Sequence, residues 1–428
     1  MRKLLVIGYV WPEPKSSAAG SRMLELIHVF LSQHWEVVFA SAAALSEHRF
    51  NLETIGVQEK SIQLNDSGFN EYLANLKPDA VLFDRFFTEE QFGWRVEQEC
   101  PGALRILDTE DLHSLRHARH HLLRASQKKC ETEVDRHKLG PVLASAEQLY
   151  ECMSNDDMAK REIASIFRCD LTLMISTFEI ELLTQFFSVP AQLLHYCPFL
   201  TIDKTTTPKS FDERQHFISI GNFRHEPNWD AVLYLKHAIW PLIRAQLPQA
   251  ELHIYGAYPP PKATQLHNPK QGFYIKGWAD DALEVMGQAR VCLAPLRFGA
   301  GIKGKLMDAM LCGTPSITTS IGAEAMCDGN VWGGSIENNA EDFVAAAISF
   351  YTREDAWAKA QKNGFHVLES YFQNTDYQEQ LVKRLNELQE KLELERKQNF
   401  IGAMLRHHSL KSTQYMSQWI EAKNSTRS

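Results

Sequence analysis

The sequence lacks several features that would point to common functions. None of its eight cysteines forms a C-x-x-C pair, and none stands at zinc spacing from a histidine. A redox couple or a structural zinc site is therefore not expected, and reduced thiols in the cytoplasm are the default. No stretch is long and apolar enough to span a membrane. Basic residues are not in excess: the formal net charge is −8. General attraction to nucleic acid or anionic lipid is not expected, local patches aside. Residues 1–10 begin like a signal peptide, but the apolar run is short and ends in Trp11-Pro12-Glu13-Pro14, so it reads as a first strand. That strand continues into Gly8-Tyr9-Val10-Trp11-Pro12 rather than G-x-G-x-x-G, which speaks against a nicotinamide-dependent dehydrogenase.

What is present suits a two-domain α/β protein. The chain has 428 residues, 44% hydrophobic and 23% charged, enough for two separate cores. Short apolar runs at 4–8, 36–40, 80–84 and 104–107 alternate with helical patterns, among them one over 20–32. The pattern predicts a helix ending over 159–167, a strand over 170–176 and a helix over 177–187 capped by Ser176 or Thr177. Alternation of this kind gives a parallel sheet covered by helices on both faces. The run 203–214, rich in Thr, Lys and charge, reads as a linker. A second series of strands follows at 216–220, 251–255, 273–275 and 291–296, with Pro227 in the first turn of a helix and Asn228 as its cap. Ligands of such sheets sit beyond the carboxyl ends of the strands, which places Gly8, Gly221, Leu296 and Thr319 near the walls of a cleft. The expected division is 1–202, 203–214, 215–370 and a helical 371–428. In the last part Leu381, Leu385, Leu388 and Leu392 have coiled-coil spacing, but Glu395 and Asn399 break the seam. Met404, Leu405, Tyr415, Met416, Trp419 and Ile420 are expected to pack on the protein rather than on a partner.

The segment 291–324, VCLAPLRFGAGIKGKLMDAMLCGTPSITTSIGAE, is the most informative. An apolar strand runs into Gly299-Ala300-Gly301, and a helix opens at Ile302-Lys303-Gly304-Lys305. The helix ends at Cys312, with Gly313 and Pro315 behind it. A second strand, 316–319, leads to a turn at Gly322. Free backbone N–H groups, the helix dipole and two lysines together make an anion site. Asp308 lies one turn beyond Lys305 and could accept hydrogen bonds from ligand hydroxyls. Gly299 to Lys305 also fits G-x-x-x-x-G-K, but Leu306 replaces the Ser or Thr that a nucleoside-triphosphate loop needs for magnesium. The plain alternative is a glycine turn that only packs a helix on a sheet.

The stretch PLRFGAGIKGKLMDAM followed by CGTPSITTSIGAE resembles the donor half of retaining glycosyltransferases of the GT-B fold, glycosyltransferase family 4. The resemblance covers most of the chain and leaves out residues 400–428. It implies two Rossmann-like domains facing a cleft, acceptor side first and nucleotide-sugar side second, and a C-terminal helix crossing back to the first domain. The family's E-x7-E places a glutamate on the donor sugar and a second on the ribose. Here those positions are Ala300 and Asp308. Pro198-Phe199-Leu200 replaces the Pro-Asn-Gly turn that closes the family's first domain.

The resemblance implies Lys303 and Lys305 on the diphosphate, with Gly301 and Ile302 beside them. Gly221, Asn222 and Arg224 stand where the family carries Gly-Arg…Lys, and Arg224 is a candidate to substitute. In the first half, Gly20 and Ser21 fall in the family's flexible loop near the diphosphate. His113 is the nearest match to a histidine that contacts the donor sugar. Asp108, Glu110 and Asp111 are candidates for acceptor hydroxyls or a base, although Asp111 or Thr109 could simply cap a helix. His117 and His121, at i and i+4 beside His120, invite a metal reading, but no acidic or cysteine ligand is fixed near them, and the fold is in general metal-independent.

The resemblance therefore implies a hexosyltransferase that keeps the anomeric configuration of its donor. Its catalytic candidates are His113, Asp111 and Lys305. The only co-substrate expected is a nucleotide sugar, a UDP- or GDP-sugar, with no metal. The acceptor would be a growing cell-surface glycan or a lipid-linked precursor, reached by peripheral contact with the inner membrane face. Self-association through the C-terminal helices is a further expectation. A nucleotide-sugar epimerase and a non-catalytic glycan-binding scaffold are the alternatives.

Overall fold

The computed structural model describes residues 1–200, 208–327, 332–372 and 376–425. Two wholly parallel sheets form its frame. The first contains β1 (Lys3–Gly8), β2 (Glu36–Ser41), β3 (Gln58–Ser61), β4 (Ala80–Asp84), β5 (Leu104–Asp108), β6 (Leu171–Met174) and β7 (Leu194–Tyr196). Their spatial order is β3-β2-β1-β4-β5-β6-β7. The second contains β8 (Gln215–Ile220), β9 (Leu252–Tyr255), β10 (Phe273–Gly277), β11 (Ala289–Ala294), β12 (Ser316–Thr318) and β13 (Gly334–Ile336), in the order β10-β9-β8-β11-β12-β13. Helices cover both faces of such sheets, so strand residues are buried on both sides. That is why Leu4–Ile7, Ala80–Phe83 and Val291–Leu293 read as unbroken apolar runs rather than alternating ones.

In each sheet the strand order reverses beside the first strand, between β1 and β4 and between β8 and β11. A crevice opens at such a reversal, beyond the carboxyl ends of the strands. The two crevices meet. Ile175 and Phe199, next to the first sheet, share one apolar cluster with Ile302, Leu306 and Met307 from the second. Phe199, in the altered Pro198-Phe199-Leu200 turn, thus serves as a plug between the halves. Gly304 lies so close to Ala18 that a Cβ there would come within 2.7 Å of the Ala18 Cβ.

Several local expectations need correction. Arg214, placed in the linker, is fully buried and donates to the Thr314 hydroxyl and to the carbonyls of Ala289 and Cys312. Of the linker run, residues 203–207 lie outside the described residues. His225, not Asn228, is the N-cap of the helix Glu226–Tyr234, which leaves Asn228 in the first turn and free to use its side chain elsewhere. The turn at Gly322 is a short helix, Ser320–Ala323, whose N-cap Thr319 accepts from the Gly322 N–H.

Leucines at coiled-coil spacing pack on this chain instead. The helix Tyr377–Gln398 returns to the first sheet and buries Leu381, Leu385 and Leu388 against Leu4, Val6, Leu104 and Ile106. Leu388→Ala should cost about 2–5 kcal/mol, by lost burial and a residual cavity. A urea unfolding curve displaced by less than about 0.5 kcal/mol would contradict that seat. The following helix, Phe400–Ser425, lies along Arg85–Glu99 and Asp157–Arg168. Its contact is made by Leu405, by Gly402 against the Phe167 carbonyl and by Ser417, which accepts from Arg95. The expected packing of the tail's apolar residues fails in large part. Met404, Tyr415, Met416 and Trp419 are exposed, because the side of the helix that meets the protein carries Gly402, Leu405, Arg406 and Ser417 instead.

Candidate functional site

The glycine-rich loop between β11 and the helix Gly304–Leu311 forms as its sequence suggests. Gly301 has φ +64°, a left-handed conformation, and a Cβ there would come within 2.9 Å of the Asp111 Cβ. Only glycine meets both demands. Lys303 is the helix N-cap and Lys305 lies in the first turn. The Lys303 ammonium donates to the Gly301 carbonyl at 2.5 Å, and that of Lys305 to Asn228 Oδ1 at 2.6 Å. A Cβ on Gly221 would come within 2.8 Å of the Lys305 Nζ, so Gly221 makes room for the lysine.

Their electrostatics suit an absent anion. Burial pushes Lys303 down to about 8, against the pull of Glu324, and Lys305 down to about 8, against Cys292 and Asp308. Lys305 keeps some solvent access yet sits deep among protein atoms. Burial likewise pushes the Asp308 carboxyl up to about 7, against Lys305. Lys303 and Lys305 repel each other at one helix N-terminus, and an anion between them would offset that cost.

The first half closes over this loop with charged groups. Asp111 is bound by the Arg116 guanidinium and lies 3.6 Å from His113 Nε2. Burial would raise the Asp111 carboxyl, but Arg116 and then His113 hold it well below the usual range. Arg116 Nη2 donates to His113 Nδ1 at 2.9 Å, which puts the ring proton on Nε2. Burial holds the His113 imidazole down at about 3, so it is neutral at physiological pH. The ring meets Phe86 and Phe87 edge-on. His225 comes from the second half into the same charge cluster; burial and then Arg116 hold it below its ordinary value.

Four further residues at this site, beside His225, escaped the sequence reading. Glu179 Oε1 accepts from the Gly301 N–H at 2.7 Å and from the Leu112 N–H at 3.2 Å. Burial, then Asp111, pushes its carboxyl up to about 8. Ser176-Thr177-Phe178-Glu179 reads as a capping box. Ser176 does accept from the Glu179 N–H, but the Glu179 side chain crosses to the glycine loop. Arg119 donates to the Gly299 carbonyl at 2.8 Å and to both Glu324 oxygens at 2.5 and 2.9 Å, bidentate and between the halves. Asn228 orients Lys305. No local pattern marks any of these, except that each lies just beyond a strand end or within a turn or two of a helix start.

Other expectations divide. Ala300 packs with the core of the first half, so the glutamate position of the resembled motif is filled by an apolar contact. Ile302 is buried in the cluster between the halves. Gly20 and Ser21 are committed to the loop before their helix: a Cβ on Gly20 would fall 2.4 Å from the Glu13 backbone, and Ser21 Oγ donates to the Pro14 carbonyl. That loop still reaches the second half, through Ser16, which accepts from Asn222, and Glu13, which accepts from the Tyr258 hydroxyl. Arg224 stacks on Tyr258, 3.6 Å from the ring centre, and is exposed at this rim rather than joined to the lysines. His117 pairs with Asp156 and His120 stacks on Phe298. Among the described residues no group of three or more His, Cys, Asp or Glu is placed to hold a metal ion, and none of the helices is long and apolar enough to cross a membrane.

The lysines impose a pH dependence on anion binding. Lys303 and Lys305 are charged below about 8 and lose their protons as pH rises through that value, while Glu179 gains charge there. An anion that raises the lysine values binds fully below about 8 and weakens above it. Asp111 stays ionised through this window and His225 stays neutral, so they add no opposing slope. Calorimetric titration with a nucleoside diphosphate at pH 7 and 9.5 should show at least a tenfold loss, and a flat profile would remove the lysines from the site.

Comparison with known proteins agrees with this geometry. Residues 214–353 match the family model described as Glycosyl transferases group 1. No curated protein matches the sequence. Among solved structures, sucrose-phosphate synthase from Thermosynechococcus elongatus is similar at 14% identity and TM-score 0.59, over 91% of this chain and 99% of that one. Anabaena HepE, solved with UDP and glucose, is similar at 12% and 0.61, over 90% and 100%. A TarM mutant from S. aureus, solved with fondaparinux, alpha-GlcNAc-glycerol and UDP, is similar at 10% and 0.64, over 91% and 100%. At such identities the likeness is one of fold, the GT-B arrangement of two facing α/β domains.

Proposed function

We propose, on the premise of a glycosyltransferase of the GT-B fold whose residues 214–353 belong to the glycosyl transferases group 1, that this chain moves a hexose from a nucleoside diphosphate to an acceptor hydroxyl with retention. The observation that carries the reading is the pair of lysines, Lys303 and Lys305, set at the helix start behind Gly299–Gly301. A leaving diphosphate supplies the charge they lack, and its charge grows as the glycosidic bond breaks, so the site binds the transition state better than the donor. Asp308, at the ribose position of the resembled motif, would accept from the ribose hydroxyls. HepE and TarM, of like fold, were each solved with UDP, which favours a UDP-sugar over a GDP-sugar.

In retaining transfer the acceptor oxygen bonds to the anomeric carbon on the face the diphosphate leaves. The acceptor proton passes to a diphosphate oxygen, and no protein nucleophile is needed. Neutral His113, with its proton on Nε2, would donate to a donor-sugar oxygen, with Arg116 fixing the ring through Nδ1. A cell-surface glycan or a lipid-linked precursor remains the proposed acceptor class.

Thermal unfolding against UDP, GDP, ADP and TDP and their sugars tests the reading. A ligand at a hundred times its Kd adds about 2.7 kcal/mol. One nucleotide series that stabilises the protein identifies the base. Absence of any shift in folded protein would overturn the donor site, and sugar conversion without an acceptor product would replace transfer by epimerisation.

A further inference from the structure

The tail helix Phe400–Ser425 leaves a large apolar face uncovered. Phe400, Met404, Tyr415 and Trp419 recur at helical spacing along one side, with Ile401 and Met416 at its borders. Phe400 is 74%, Tyr415 63% and Trp419 58% exposed. From Phe400 to Trp419 the face runs for roughly 30 Å along the helix. The opposite side is held to the protein. Arg406 donates to the Arg168 carbonyl at 3.1 Å, Gln414 to Gln98 at 3.2 Å, and Ser417 accepts from Arg95 at 3.1 Å. Rolling the helix to bury its apolar side would break these contacts, so that side is left for an outside partner.

Charge selects the partner. Exposed Lys411 lies within the face, between Met404 and Tyr415, and Lys423 ends it with its ammonium 4.9 Å from the Trp419 ring centre. The helix has a single carboxylate, Glu421, and that turns to the protein, where it accepts from the Ser67 N–H and hydroxyl. Carboxylates of the neighbouring helix Arg85–Glu99 are engaged as well: Glu90 by Arg161, Glu97 by Arg105 and Arg406, and Glu99 by Asn70. A basic, apolar face thus stands on a chain whose net charge is −8.

A second copy of this chain suits the face poorly. Lys411 lies near its middle, so an antiparallel pair about a two-fold axis sets Lys411 against Lys411. The boundary of an anionic bilayer suits it well. Aromatic rings and methionines enter the headgroup layer, while lysine stems lie along the apolar surface and carry their ammonium groups to lipid phosphates.

We infer that the exposed face of Phe400–Ser425 docks on a bilayer surface that contains anionic lipid, with Phe400, Met404, Tyr415 and Trp419 in the headgroup layer and Lys411 and Lys423 on lipid phosphates. The helix lies along Arg85–Glu99 and Asp157–Arg168, so docking seats the first half of the chain on the membrane. Such binding needs neither donor nor acceptor, and the inference stands apart from the transfer reading.

Co-sedimentation of the full chain with vesicles tests this. Vesicles of phosphatidylglycerol and phosphatidylcholine in equal parts should bind wild type, and vesicles of phosphatidylcholine alone should bind it at least tenfold more weakly. Tyr415→Ser combined with Trp419→Ser should weaken binding to the mixed vesicles at least tenfold. Lys411→Gln should weaken it about fivefold, the usual effect of one basic residue at an anionic surface. All three side chains are exposed, so the unfolding temperature of each variant should match wild type. Free glycerol phosphate should not displace the protein from the vesicles. A wild type that ignores the mixed vesicles, equal binding to both kinds, full binding by the double variant, or displacement by glycerol phosphate would each overturn the inference. A dimer in solution that the double variant dissolves would give the face to a second copy and overturn it too.

Discussion

Lys305→Ala should lower turnover by about 100- to 1,000-fold, the usual effect of removing one group that stabilises developing charge. The lysine ammonium touches Asn228 and stands at the helix start where a diphosphate would gather charge. The fold should survive. Asp308, already pushed up to about 7, takes a proton when the lysine is gone, so no isolated buried charge remains. The thermal shift by nucleoside diphosphate should vanish with the turnover. Lys305→Arg should not rescue, because Gly221 and Asn228 leave a cavity fitted to an ammonium, and a planar guanidinium does not replace it. Steady-state kinetics and thermal unfolding on the same preparations decide the matter. Ordinary turnover in the alanine variant would remove Lys305 from the mechanism.

The second large effect belongs to Arg119 and Glu324. Their bidentate pair joins the helix His113–Lys128 to the residue just after Ser320–Ala323, and the same guanidinium holds the Gly299 carbonyl. Arg119 is 6% and Glu324 16% exposed, so removing one partner leaves the other poorly solvated. Arg119→Ala should destabilise by about 3 kcal/mol, the low end for breaking a buried pair, discounted for the remaining exposure of Glu324. Donor turnover should fall at least tenfold, because the same guanidinium fixes the glycine loop through the Gly299 carbonyl. A double-mutant cycle with Glu324→Ala should return a coupling of about 1–3 kcal/mol. Coupling near zero would leave the pair no part in joining the halves.

Local chemistry made much of this protein legible. Strand, glycine turn, helix start and stop at 291–313 depend on residues within a few positions of one another, and they form within two residues of where the sequence puts them. The parallel sheets were legible for the same reason, since burial on both faces leaves continuous apolar runs. The leucines of 381–392 show the limit. Their spacing states only that one helix face is apolar, and the first sheet rather than another helix takes it up. Glu179 shows it more sharply: four residues that compose a capping box give no sign that the carboxylate turns away to a loop 122 residues distant. The tail errs in the opposite direction. Its apolar residues suggested packing, but Gly402 and Ser417 decide which side of the helix approaches the protein.

By itself the sequence determined the two α/β halves, the glycine loop and the lysines at its helix start, because backbone geometry and helix dipole act over one turn. Tertiary structure alone decided which charges face those lysines, that Arg119 and Glu324 meet across 205 residues, and that Asp84, Asp108 and Glu110 come close together. Those choices depend on strand order and on the approach of two sheets. Coulomb and desolvation energies follow distance in space, and distance along the chain does not report it.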